Sequence, residues 1–175
     1  MTSGAGASIH ASAVLVDHRG VLIRGPSGAG KSRLAFDLIL AGRSGQIPGA
    51  VLVGDDRVFV SVRDRQLVVR PAPELAGLIE IRGLGIRRCD FTGEAVIGLV
   101  VDLCAEDAAR LPQPEALLTS VDGVLIPRIP VAPGMSALPL VVAALTTTEG
   151  GIYPRSSADC LKGIGNHITH TIATE

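Results

Sequence analysis

The chain has 175 residues, enough for one domain with a substantial buried core and too few for two, and 47% of them are hydrophobic against 19% charged. A formal net charge of -1 argues against a generally basic nucleic-acid surface, and one Tyr, three Phe and no Trp leave no aromatic platform for stacked bases. Cys89, Cys104 and Cys160 lie far apart with no C-x-x-C pair, which suggests neither a disulfide framework nor a zinc site, and the apolar runs fall short of the ~20 residues that span a bilayer.

Taken in chain order, Met1 to Ser8 is small and polar, without the basic start and apolar core of a signal peptide, and reads as a flexible tail on a soluble, cytoplasmic protein. Residues 9–175 read as a single domain. His10 stands just ahead of Ala13 to Val16, a strand that turns through Asp17-His18-Arg19-Gly20 into Val21 to Arg24. There follows Gly25-Pro26-Ser27-Gly28-Ala29-Gly30-Lys31-Ser32, which fills every fixed position of G-x-x-x-x-G-K-[S/T]. Its glycines let successive backbone N–H groups converge on phosphate oxygens, Lys31 adds a point charge, and Ser32 offers a hydroxyl to Mg²⁺. Leu34, Phe36 and Leu38 continue on a helical pattern to about Gly42, so the helix N-terminus points at the anion.

Ala50 to Val53 is a buried strand that stops at Gly54-Asp55-Asp56. Val58, Val60 and Val62 then alternate with polar or mixed neighbours, and Asp64-Arg65 turns the chain into Gln66 to Arg70, a hairpin. Leu78 to Arg82 is a further strand, with Glu80 and Arg82 on one face, ending in the close turn Gly83-Leu84-Gly85. Ala95 to Asp102 is a long buried strand, and helices are expected around Glu106 to Leu111, Ala137 to Thr147 and Ala158 to Ile172. The last carries the apolar stripe Leu161, Ile164, Ile168 and Ile172, while His167 and His170 share a helical face with no partner that would make a metal site. The sum is an α/β fold, a P-loop mixed sheet richer in hairpins than a doubly wound nucleotide-binding fold.

Carboxylates at strand ends face the ligand crevice of such a sheet, so Asp55 and Asp56 are candidates to hold metal or water and to take a proton. Asp102, after Val100-Val101, is a rival strand end, and the sequence pattern does not choose between them. Glu80 can reach Mg²⁺ or form a surface ion pair. The protein-kinase H-R-D and D-F-G motifs are missing, since Asp90-Phe91-Thr92-Gly93 has an extra residue, and no Asn-Lys-x-Asp guanine-reading motif occurs.

With these residues in place, the chain resembles the catalytic domain of the bacterial HPr kinase/phosphorylase family over nearly its whole length. The motifs that carry the resemblance, in order, are His10, the G-x-S-G-x-G-K-S loop, Asp55-Asp56-Arg57-Val58, and Glu80-Ile81-Arg82-Gly83-Leu84-Gly85-Ile86. The resemblance implies a fold akin to phosphoenolpyruvate carboxykinases, a catalytic-domain-only short form, and a hexamer. It implies transfer of phosphate from ATP, with Mg²⁺, to a serine of HPr, the small carrier of the sugar phosphotransferase system, or of an HPr-like phosphocarrier. Neither a nucleic acid nor a membrane is expected as a partner.

By the same resemblance Lys31 and the loop amides hold the β- and γ-phosphates, and Ser32 and Glu80 ligate Mg²⁺. Asp55 accepts the serine proton with His10 beside it, and Arg110 stabilises transferred charge. The family's phosphorylase loop, Pro-Val-basic-x-Gly-Arg, is matched here by Pro130-Val131-Ala132-Pro133-Gly134-Met135, with both basic positions lost. The reverse reaction is therefore expected to be weak or rerouted through Arg128. The rival functions are a small-molecule kinase on the same scaffold and a nucleotide-binding regulator without transfer activity.

Overall fold

A computed structural model describes residues 6–148. Ala7–Ile9 (β1), Ser12–Val16 (β2) and Arg19–Arg24 (β3) lead through the phosphate loop into the helix Lys31–Arg43 (α1). Ala50–Gly54 (β4), Val58–Arg63 (β5) and Gln66–Pro71 (β6) come next, followed by the short strands Leu78–Ile81 (β7) and Gly85–Arg88 (β8). The long strand Ala95–Leu103 (β9), the hairpin Leu118–Val121 (β10) with Val124–Val131 (β11), and the helix Leu138–Thr146 (α2) complete the order. Among the described residues, no helix is long and apolar enough to cross a membrane.

Nine strands form one mixed sheet in the order β1-β5-β6-β9-β3-β2-β4, with β11 branching from β9 and β10 from β11; β7 and β8 pair separately. β9 joins the two halves, antiparallel to β6 along Ala95 and Val96 and parallel to β3 and β11 further on. Between those stretches the register slips: Gly20 pairs with Ile97 but Val21 with Leu99, leaving Gly98 as an extra residue. A one-residue bulge reverses which side chains face which side. Ala95 and Ile97 therefore join one core with Leu22, Val53 and Val60, whereas Leu99, Val101 and Leu103 join the other, beneath α1. Period-two alternation does the same work elsewhere, sending Val21 and Ile23 of β3 under α1 and Leu22 to the opposite face.

α1 buries Leu34, Ala35, Leu38, Ile39 and Ala41, a stripe at helical spacing that seats it on β2, β3 and β4. At its C-terminal end the backbone nearly touches β4, since a β-carbon added at Gly42 would stand 2.7 Å from the Ala50 nitrogen.

Three expectations change. Ala7 and Ser8, expected in the tail, pair with Val60 and Phe59 as an edge strand. Glu106 to Leu111 is not helical: Cys104 turns the chain at φ 59°, Ala105 N–H donates to the Val131 carbonyl, and Arg128 holds Asp107, so this stretch is a series of turns ahead of Pro112 and Pro114. The β10–β11 hairpin goes unforeseen because Pro127 and Pro130 interrupt its second strand, although Asp122-Gly123, both at positive φ, is a strong two-residue hairpin turn. The helix expected at Ala158 to Ile172, with His167 and His170, lies outside the described residues.

Gly42→Ala should show the Ala50 contact directly. In an unhindered helix the change would stabilise by about 1 kcal/mol. Here it should instead destabilise by about 1–3 kcal/mol, read as a lower urea midpoint at an unchanged m-value.

Candidate active site

The phosphate loop folds as its sequence requires. Gly28 and Gly30 take φ 78° and 98°, Gly30 caps α1, and the Leu34 N–H donates back to the Gly30 carbonyl at 2.9 Å. These left-handed conformations turn the chain without a β-carbon, and the α1 N-terminus opens on the loop. Lys31 is 6% exposed, its Nζ donating to the Gly25 and Pro26 carbonyls at 3.0 Å each. Pro26, Ser27 and Gly28 are exposed, and Ser32 is half-buried on the first turn of α1.

The acidic pair is positioned by strand pairing. β2 pairs with β4 so that Ala13 faces Gly54, and β1 pairs with β5 so that Ile9 faces Val58. The links between those strands, His10 to Ser12 and Asp55 to Arg57, therefore run antiparallel side by side. One crossing puts the Ser12 hydroxyl on Asp55, donating to Oδ1 at 2.5 Å; the other puts His10 Nε2 3.3 Å from Asp56 Oδ1.

The two carboxylates consequently differ in character. Asp55 is 3% exposed and both its oxygens are engaged, Oδ2 accepting the Glu80 backbone N–H at 3.0 Å. Asp56 sits at φ 63°, which swings its side chain outward into solvent beside the half-exposed His10. His10, expected beside Asp55, has its ring nitrogen on the adjacent carboxylate, Asp56. The Glu80 side chain is exposed at the end of β7, while its amide is fixed by Asp55 and its neighbour Ile79 is buried beneath α1.

Asp102, the rival strand end, is committed elsewhere. It lies beside the loop strand, paired with Arg24, and accepts from Arg24 Nε and Nη2 at 2.7 and 2.8 Å and from Arg128 Nε at 2.5 Å. Arg128 also holds Asp107 through both terminal nitrogens and donates to the Ala116 carbonyl. Four of its five N–H donors are thus engaged, which weighs against the expected rerouting of phosphate chemistry through it. Ala132 to Met135 is a turn after β11 carrying no cation, and Arg110 is exposed on the preceding turns with no ion pair among the described residues.

Ser12, which sequence reasoning passed over, completes the site. Its signal was available: a lone serine two residues after His10, at the start of a strand whose other face is apolar.

The chemistry of the donor set fits a nucleotide triphosphate with Mg²⁺. The loop presents backbone amides and one buried ammonium, and Mg²⁺ usually takes one or two protein oxygens together with phosphates and waters, for which Ser32 and Glu80 are suitable donors. Among the described residues no group of three or more His, Cys, Asp or Glu could hold a metal by itself.

Comparison with known proteins gives concordant results. The family model described as the HPr serine kinase C-terminal domain matches residues 4–159. HPr kinase/phosphorylase of Limosilactobacillus reuteri is 45% identical over 80 residues, 45% of this chain and 23% of its own length. The Mycoplasma mycoides protein of the same name is 40% identical over 77 residues, 44% of this chain and 22% of its own. Each match thus spans less than a quarter of the curated relative. The solved Hpr(Ser) kinase/phosphatase from Coxiella burnetii superposes with TM-score 0.63 at 26% identity, covering 79% of this chain and 93% of that one.

The Asp102 network makes a pH-dependent prediction. Burial pushes the Asp102 carboxyl up, and hydrogen bonds and charge from Arg24 and Arg128 more than reverse it, leaving it below the ordinary carboxylate range. A carboxyl more acidic in the folded state contributes fully above its unfolded value, near 4, and loses that contribution as pH falls through the depressed one. Asp102→Asn should cost about 2–3 kcal/mol at pH 7, with the gap to wild type closing as pH falls below about 4 in denaturation experiments.

Proposed function

The chain belongs to the HPr serine kinase C-terminal domain family, and from that membership we propose that it transfers the terminal phosphoryl group of ATP to a serine hydroxyl of an HPr-like phosphocarrier. The observation that carries the reading is the hydrogen bond from the Glu80 amide to Asp55, which ties a candidate Mg²⁺ carboxylate to the strand end bearing the acidic pair. The resemblance supplies the phosphate donor, the acceptor class and most of the roles; the local geometry supports the division of labour between Asp55 and Asp56.

Bound ATP with Mg²⁺ supplies the transferable group and the divalent charge that neutralises it. Lys31 and the loop amides bind the β- and γ-phosphates, and Ser32 with Glu80 holds the cation. The proton of the attacking serine passes to Asp56, the carboxylate that is solvent-facing and has a side-chain oxygen beside His10 Nε2. His10 orients that carboxylate and, when protonated, balances its charge. Asp55, buried and doubly engaged, positions Asp56 and Glu80 rather than meeting the acceptor. Arg110 retains the charge-stabilising role implied by the resemblance.

In the reverse direction inorganic phosphate would attack a phosphoserine, and bringing two anions together favours cations that the Pro130 to Met135 segment lacks and that Arg128 has already spent on carboxylates. The forward reaction is accordingly the favoured one. Assembly as a hexamer in the cytoplasm, implied by the resemblance, belongs to the same proposal and is read by sedimentation.

The decisive experiment incubates the protein with γ-labelled ATP and Mg²⁺, purified HPr-like carriers, and separately a panel of hydroxyl-bearing metabolites. Label should appear on a carrier serine; label on a metabolite alone would establish a small-molecule kinase, and nucleotide binding without transfer a regulator. Asp56→Asn should lower transfer by about 10²–10⁴-fold while nucleotide affinity stays within about threefold, and near-normal turnover would remove its proton-accepting role. With phosphoserine-bearing carrier and inorganic phosphate, pyrophosphate should be released much more slowly than the forward reaction proceeds; comparable rates would overturn the directional preference.

A further inference from the structure

The β7–β8 hairpin brings a charge to the phosphate loop that the roles above do not use. β7 ends at Ile81, and Arg82 opens the tight turn closed by the Leu84 N–H donating to the Ile81 carbonyl at 2.9 Å. A β-carbon added at Gly28, in the middle of the loop, would lie 4.0 Å from Arg82 Nη2, and no other heavy atom beyond the loop neighbours of Gly28 comes that close. The same addition at Gly30 meets nothing within 4 Å. At these two loop positions, among the described residues, one guanidinium is therefore the only group at hand.

That guanidinium is uncommitted. Arg24, Arg57, Arg63 and Arg128 are each bound to a carboxylate, whereas Arg82 is exposed and makes no ion pair among the described residues. Its support is firm, because the Glu80 amide is held by buried Asp55 and Ile79 is packed beneath α1. A forked cation held over a phosphate loop, with its donors unspent, is suited to bidentate contact with phosphate oxygens.

We propose that Arg82 is a phosphate-binding residue of the nucleotide site, an arginine finger supplied by the chain's own hairpin, which engages the terminal phosphate of a triphosphate. The assignment rests on the nucleotide reading above and adds to it a residue that distinguishes a triphosphate from a diphosphate. Glu80 at the end of β7 and Arg82 in the turn that follows then bring to the same phosphates a ligand for the cation and a cation of the protein's own.

Direct binding tests this without knowledge of the acceptor. ATP and ADP, each with Mg²⁺, are titrated calorimetrically into wild type, Arg82→Ala, Arg82→Lys and Lys31→Ala, with melting temperatures recorded for each. Arg82→Ala should weaken ATP about 10- to 100-fold and ADP less than about threefold, with Arg82→Lys intermediate and melting temperatures unchanged. Lys31→Ala should lose both nucleotides. If Arg82→Ala binds ATP as wild type does while Lys31→Ala does not, the Arg82 assignment falls and the nucleotide reading stands. Equal weakening of ATP and ADP would overturn the terminal-phosphate assignment. Failure of wild type to bind either nucleotide would overturn the nucleotide reading and this inference with it.

Discussion

Asp55 is a carboxylate almost wholly withdrawn from water at a point where three chain segments meet, and the rest of the site is arranged around satisfying it. An ionised carboxylate in that position is tolerable only with donors on both oxygens. The Ser12 hydroxyl and the Glu80 amide are those donors, so the start of β2 and the end of β7 are drawn to the end of β4. The exposed Asp56, the Glu80 side chain and the Arg82 turn take their places as consequences. A single buried charge thereby converts two loose links and a separate hairpin into a fixed rim beside the phosphate loop.

The second constraint is the bulge at Gly98. β9 has to serve a half-sheet packed under α1 and a half-sheet packed on the other face, and no uniform alternation can do both. One extra residue reverses its faces midway, which lets a nine-residue strand belong to both cores. The loop-proximal end of that strand finishes in the Arg24, Asp102, Arg128 and Asp107 network, a set of paired charges that ties β3, β9 and β11 together without leaving a carboxylate for catalysis.

Much of this architecture is legible residue by residue. The β2–β3 hairpin, the loop, α1, the β5–β6 hairpin and α2 each carry a local signal: period-two valines, a turn pair, or a glycine-rich octapeptide ahead of a helical stripe. What the sequence hides is decided by partners far along the chain. That Asp55 faces inward and Asp56 outward depends on β1 and β2 pairing with different strands, and two adjacent aspartates look alike until that pairing is known. Asp102 likewise appears as good a catalytic acid as Asp55 until Arg24 and Arg128, separated from it by 78 and 26 residues, are found on its oxygens. The turns at Glu106 to Leu111 defeat helical periodicity because Arg128, 21 residues further along the chain on β11, claims Asp107.

Lys31 carries one further consequence. With its ammonium donating to the carbonyls of Gly25 and Pro26, Lys31 ties the start of α1 back to the first turn of the loop and satisfies two peptide oxygens there. Under the proposed function, capture of a phosphate is then an exchange, in which the ammonium leaves peptide oxygens for phosphate oxygens. The selectivity of such a site should rest on how well an incoming anion outcompetes two peptide oxygens for one ammonium.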